Sequence, residues 1–219
     1  MGLLNIYDGD DVWLARAADE ARDAEYAIAV KGGTGGFVRA LDDLVKQGKT
    51  FDRAVISTHG GEGRILFSGE RIFAADWKKL AGRGYERIFP LGARIYFPGC
   101  NIAVGEAGWD FLAEAGKLFL RLGGGLVFAH DTKGIALGGK LSRVVVMAAS
   151  RFVLGPAAGP ASDLAIWFGL GGKVIHPWPW DTVKGYVIAR GGVPVQRINI
   201  GGDGGSISAS LASLATSFF

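Results

Sequence analysis

The run ARIYFPGCNIAVGEAGWDFLAEAGKLFLRLGGGLVFAHD, residues 93–131, reads as a strand, a helix and a second strand. ARIYF (93–97) and GLVFA (125–129) are short and continuously apolar rather than alternating, the pattern of strands buried on both faces of a parallel sheet. Trp109, Leu112 and Phe119 mark a helix over 107–122 between them. Such a unit is a right-handed crossover between parallel strands.

The same alternation extends upstream. LLNIY (3–7), YAIAV (26–30) and RAVIS (53–57) are further short apolar strands. Leu14, Ala17, Ala18 and Ala21 form a helical stripe, with N-caps available from Asp8 to Asp11. KGGTGG (31–36) reads as a loop, and Phe37, Leu41, Leu44 and Val45 mark a second helix that ends near Gly48. RILF (64–67) and RIF (71–73) flank Ser68-Gly69-Glu70 as a hairpin, and Phe73, Trp77 and Leu80 give a short helix. Downstream, VVVMA (144–148) fits a strand or a helix end. VKGYVIARGGVPVQRI (183–198) reads as a hairpin turning at Gly191-Gly192, and the Gly-, Ser- and Ala-rich tail from 201 as loosely held. The expected architecture is α/β: a mostly parallel central sheet with helices on both faces. It forms one domain over 1–219, with a core at 1–150 and an extension at 151–219 completing or covering the sheet and cleft.

Composition narrows the function. The chain has 219 residues, enough for a core without staples, and 49% are hydrophobic, which excludes wholesale disorder. A single cysteine excludes an internal disulfide framework and any multi-cysteine metal cluster. The net charge of +3 does not point to nucleic acid. Its halves differ: residues 1–114 hold 14 basic and 17 acidic side chains, residues 115–219 hold 10 and 4. That asymmetry fits a mildly basic half of one domain, or a face for an anionic partner. The start, MGLLNIYDGDD, lacks the basic and apolar regions of a signal peptide, and Ile6 stands where myristoylation needs Ser or Thr. Charges and prolines interrupt the apolar region 134–172, so no membrane span is expected and the chain reads as cytoplasmic.

The carboxyl ends of parallel strands are where chemistry gathers. Strand 53–57 delivers His59, and strand 93–97 delivers Cys100, the only cysteine; glycines flank both. Taken singly, such a cysteine is either a small core hydrophobe or a reactive thiol, and such a histidine is often structural. Together, on neighbouring strands facing one crevice, they suit nucleophilic catalysis: the imidazole takes the thiol proton, and backbone N–H groups at Gly60 and Cys100 meet the developing oxyanion.

STHGGEGRILFSG (57–69), followed by ARIYFPGCNIAVGEAGWDFLAEAG (93–116), resembles the caspase-like cysteine peptidases of clan CD, which include caspases, legumain, clostripain, gingipains and separase. Their hallmark is His-Gly after one strand and Cys after the next. The likeness is greatest to a bacterial caspase-like domain of unknown function from giant adhesin-like proteins. Its "SHG-x-x-G" and "YGCN-x-A-x-G-x-x-G-x-x-F" runs are matched by Thr58-His59-Gly60 with Gly63, and by Gly99-Cys100-Asn101 with Ala103, Gly105, Gly108 and Phe111. The resemblance covers about residues 50–135. It implies a three-layer caspase-like fold and a cysteine endopeptidase, with Cys100 as nucleophile and His59 as general base and acid. It implies a protein or peptide substrate and a regulatory or activating protein, and calls for no cofactor. Asn101-Ile102 follows the cysteine where caspases have Arg-Gly, and Pro98 stands where several members place a polar pocket residue, so cleavage after Asp, Arg or Asn is not carried over. The alternative is an inactive caspase-like module that binds a peptide or protein partner.

Further candidate positions stand beside the dyad. Pro98, Asp131 and Trp178 are candidate walls of a substrate pocket; Asp131 equally suits a plain capping role. His130 is a second candidate base. His176 lies in HPWPWD (176–181), where Trp178 and Trp180 suit a rigid aromatic lid or packing edge. Three scattered histidines specify no metal. GGTGG (32–36) lacks the last glycine of the dinucleotide fingerprint, and GIALGGK (134–140) is followed by Leu141 instead of the Ser or Thr of a P-loop. Gly60-Gly61 without any G-x-S-x-G argues against a lipase-type hydrolase.

Overall fold

A computed structural model describes residues 2–12, 14, 15, 24–133, 135, 136, 174, 175 and 182–201. The fold is mixed α/β, built on a seven-stranded, mostly parallel sheet. Its strands are β1 (Leu3–Asp8), β2 (Tyr26–Val30), β3 (Arg53–Ser57), β7 (Ala93–Phe97), β8 (Gly125–His130), β11 (Thr182–Ala189) and β12 (Val193–Gly201), in the order β12-β11-β8-β7-β3-β1-β2. The first five in chain order run parallel; β11 and β12 close one side as an antiparallel hairpin. Gly191 and Gly192 make its turn at φ of 89° and 78°, a region that glycine enters without a Cβ penalty.

A three-stranded antiparallel sheet stands beside it: β4 (His59–Gly61), β5 (Arg64–Phe67) and β6 (Glu70–Phe73). β4 is not legible from its residues, because a three-residue His-Gly-Gly run carries no strand propensity. A two-stranded sheet pairs β9 (Ile135–Ala136) with β10 (Val174–Ile175).

The described helices are α1 (Gly33–Lys46), α2 (Ala74–Lys79) and α3 (Gly105–Phe119). All three pack on one face of the main sheet. Phe37 and Leu41 from α1, Trp77 from α2, and Phe111 and Leu112 from α3 join Leu4, Ile6, Ile56, Ile95 and Phe97 in the larger core. The opposite face is also buried, around Leu3, Val55, Tyr96, Leu126 and Phe128. Uniform burial along β1 and β8 is the structural counterpart of their continuously apolar sequences.

One boundary needs correction: KGGTGG is a loop only as far as Gly32, and Gly33 begins α1. Glycine disfavours helix, but here packing decides. A Cβ on Gly36 would stand 1.9 Å from the Lys31 carbonyl oxygen. The stripe through Ala17 to Ala21, VVVMA (144–148) and the tail beyond 201 lie outside the described residues.

Candidate active site

Strand order assembles the site. β1 has β2 on one side and β3 on the other, so the direction of sheet growth reverses there, and such a switch point opens a crevice beyond the carboxyl ends. β7 lies next to β3, with Ala54 opposite Ile95. The residues after β1, β3 and β7 therefore meet at one edge: Asp10-Asp11, Thr58-His59 and Pro98-Gly99-Cys100.

His59 leaves β3 and immediately starts β4, paired with Leu66. The preceding Thr58 is buried; its hydroxyl accepts from the Leu66 amide at 3.2 Å and donates to the Leu66 carbonyl, fixing the crossing between the two sheets. The His59 side chain is 61% exposed, so its ring faces solvent. Its Nε2 lies 2.8 Å from Asp11 Oδ2. Asp11 is at the same time a helix N-cap: Oδ1 accepts from the Leu14 amide at 2.8 Å, and its carbonyl accepts from Ala15 at 2.8 Å. The capping role was legible in the sequence, but the contact with His59 was not.

Cys100 sits at intermediate exposure in a pinned loop. The Asn101 amide donates to the Thr132 carbonyl at 2.8 Å, and that of Ala103 donates to the His130 carbonyl at 2.9 Å, tying the loop to the end of β8. The Ile102 carbonyl accepts from Gly63 at 3.0 Å, tying it to the turn between β4 and β5. Asn101 takes a left-handed φ of 55°, which asparagine tolerates better than most residues. Ile102, Ala103 and Phe111 are fully buried.

The glycines of the two motifs let these segments touch. A Cβ on Gly60 would stand 2.6 Å from the Cys100 carbonyl oxygen and 2.9 Å from its amide nitrogen. One on Gly99 would stand 2.8 Å from the Thr58 carbonyl oxygen and 3.1 Å from the Gly60 nitrogen. The backbones carrying His59 and Cys100 are thus in direct contact.

Carboxylates secure the neighbouring turn. Buried Asp8 accepts from the Ser68 amide at 2.7 Å, and Asp10 accepts from the Ser68 hydroxyl at 2.5 Å and the Gly32 amide at 2.9 Å. The Ser68 hydroxyl, then the Gly32 amide, holds Asp10 below the usual carboxylate range. At the start of α1, Glu70 accepts from the amide and hydroxyl of Thr34 at 2.8 and 2.6 Å. The glycine-rich GGTGG segment therefore presents its helix start to a carboxylate of this same chain, not to an open phosphate cradle.

The remaining candidates fall in different places. Pro98 is buried. Asp131 accepts from the amide and hydroxyl of Thr182 and pairs with Lys184 Nζ at 3.0 Å, joining β8 to β11. His130 is fully buried, with Nε2 2.7 Å from the Tyr96 hydroxyl, so it is not exposed beside Cys100 as a second base would need to be. His176, Trp178 and Trp180 lie outside the described residues. A groove of about 400 Å³ lies at the other end of the sheet, between Trp77, Lys117, Arg121 and the β11–β12 turn, away from His59 and Cys100. Among the described residues, no group of three or more His, Cys, Asp or Glu side chains is arranged to hold a metal ion, and no helix is long and apolar enough to cross a membrane.

No family model matches the chain, and neither a curated protein nor a solved structure matches it.

Proposed function

We propose that the protein is a cysteine endopeptidase of three-layer, caspase-like architecture, acting on a protein or peptide substrate through Cys100 and His59. One observation carries the reading: the segments bearing these residues leave adjacent parallel strands and lie backbone to backbone, with Gly60 against Cys100. The buried second face of the sheet supports the architecture, since an apolar face of this kind needs a covering layer.

The chemistry follows from the residue types. His59 takes the thiol proton, and Cys100 Sγ attacks the peptide carbonyl carbon, forming a C–S bond and a tetrahedral oxyanion. N–H groups at Gly60 and Cys100 are the candidate oxyanion donors. Collapse breaks the C–N bond, and His59 returns the proton to the leaving amine. Water, deprotonated by His59, then cleaves the thioester and releases the acid.

The test is covalent labelling with thiol-directed peptidyl probes of varied sequence. Wild type is expected to label, Cys100→Ala to lose labelling, and His59→Ala to slow it by about 10²–10⁴-fold. Absence of wild-type labelling across a broad probe set overturns the peptidase reading in favour of a non-catalytic module that binds a peptide or protein partner.

A further inference from the structure

Building on the peptidase reading, we propose that Asp11 is a positioning residue that holds His59 in the tautomer protonated at Nε2 and presents Nδ1 as the nitrogen that takes and returns the proton. Two bonds on one carboxylate carry this. Oδ1 is fixed by the Leu14 amide at the first turn of a helix, and Oδ2 meets His59 Nε2 at 2.8 Å. An ionised carboxylate only accepts hydrogen bonds, so the imidazole must donate to it from Nε2. A neutral imidazole then has one acceptor left, Nδ1.

The cap supplies what an exposed ion pair lacks. A surface His–Asp contact orders two mobile side chains for little gain. Asp11 is already oriented by the helix start, and its side chain is only 20% exposed, so the ring docks onto a fixed acceptor. β1 and β3 are neighbours, which brings residues 48 positions apart into this contact.

Two variants separate positioning from capping. Ser and Asn are both good N-caps, so Asp11→Ser and Asp11→Asn keep the helix start. Ser does not reach the ring, whereas Asn can turn its NH₂ toward Nε2 and force the opposite tautomer. The first readout is imidazole ¹⁵N NMR of the full chain. The expected result is protonation at Nε2 in wild type, mixed tautomers in Asp11→Ser and protonation at Nδ1 in Asp11→Asn. The second is the rate of probe labelling, expected to fall about 10²-fold in Asp11→Ser, the scale of a misplaced catalytic group, and further in Asp11→Asn. Wild-type protonation at Nδ1, or a tautomer unchanged in both variants, overturns the proposal. Unchanged labelling in both variants also overturns it and leaves the peptidase reading standing. A tautomer that shifts in the variants when wild type never labels leaves the Asp11–His59 contact but overturns Nδ1 as the proton-transferring nitrogen, together with the peptidase reading.

Discussion

Gly60 lies against the backbone of Cys100 so closely that a single methyl group on its Cα would come within 2.6 Å of the cysteine's carbonyl oxygen and 2.9 Å of its amide nitrogen. Neither contact is with the far end of a flexible side chain, so relief requires the β4 segment and the cysteine loop to separate. Gly60→Ala is expected to cost about 1–3 kcal/mol, the range of overpacking in a filled interior, and to reduce labelling at Cys100 more than stability alone explains. Urea denaturation together with labelling rates checks this; a variant of wild-type stability and reactivity would contradict the contact.

The buried pair of Tyr96 and His130 supports the cysteine loop from below, because His130 also offers its carbonyl to Ala103. Tyr96→Phe removes the hydroxyl and keeps the ring. Leaving a buried polar group short of its partner costs about 1–3 kcal/mol, and a shift of that size in denaturation midpoint is expected. A midpoint equal to wild type would show that this bond contributes nothing.

Asp131 ties Thr182 and Lys184 of β11 to the end of β8. Its half-buried position makes the loss of an acceptor costly even though the ion pair itself is modest. Asp131→Ala is expected to destabilise the fold by about 1–3 kcal/mol. Hydrogen exchange at the Thr182 amide is the local readout, and it should accelerate in the variant relative to wild type.

Acid should loosen the turn around Ser68. Asp10 and Glu70 are both held below their ordinary carboxylate range, Asp10 by the Ser68 hydroxyl and Gly32 amide, Glu70 by the hydroxyl and amide of Thr34. A carboxyl whose folded pKa is depressed stabilises the fold at pH above its unfolded value and loses that contribution as pH falls through the folded one. The stability gap between wild type and Asp10→Asn should therefore be full at neutral pH and shrink on acidification. Denaturation midpoints measured as a function of pH check the sign; a gap that widens in acid contradicts it.

The strands were legible because burial on both faces leaves an unbroken apolar run, as in LLNIY and GLVFA. That the segments after β3 and β7 lie side by side was legible too, since consecutive parallel strands commonly pair and their carboxyl ends converge. Asp11 escaped for a physical reason. Its capping role accounted for it locally, and its second partner is brought in by the reversal of strand order at β1, which no sequence periodicity encodes. The start of α1 at Gly33 was misplaced because glycine's propensity opposes a helix, while the close approach of Gly36 to the Lys31 carbonyl, which calls for glycine there, is a backbone contact that no periodicity encodes. β4 was missed because a three-residue His-Gly-Gly run has no strand propensity, and its pairing with β5 is a backbone ladder that no side-chain pattern announces.

That short strand gives His59 a different mechanical address from Cys100. The cysteine loop is anchored to β8 in the main sheet, whereas the histidine opens the three-stranded sheet, which is held through Ile65, Phe67 and Ile72 and through the Ser68 turn. Local opening of the small sheet would move the imidazole and release the Gly63 hold on the cysteine loop, which β8 still anchors. The two side chains are thus carried by different sheets, and local opening of either sheet bears on their alignment. Exchange protection at the Gly61 and Leu66 amides thus gauges the seat of His59 separately from the global stability of the fold.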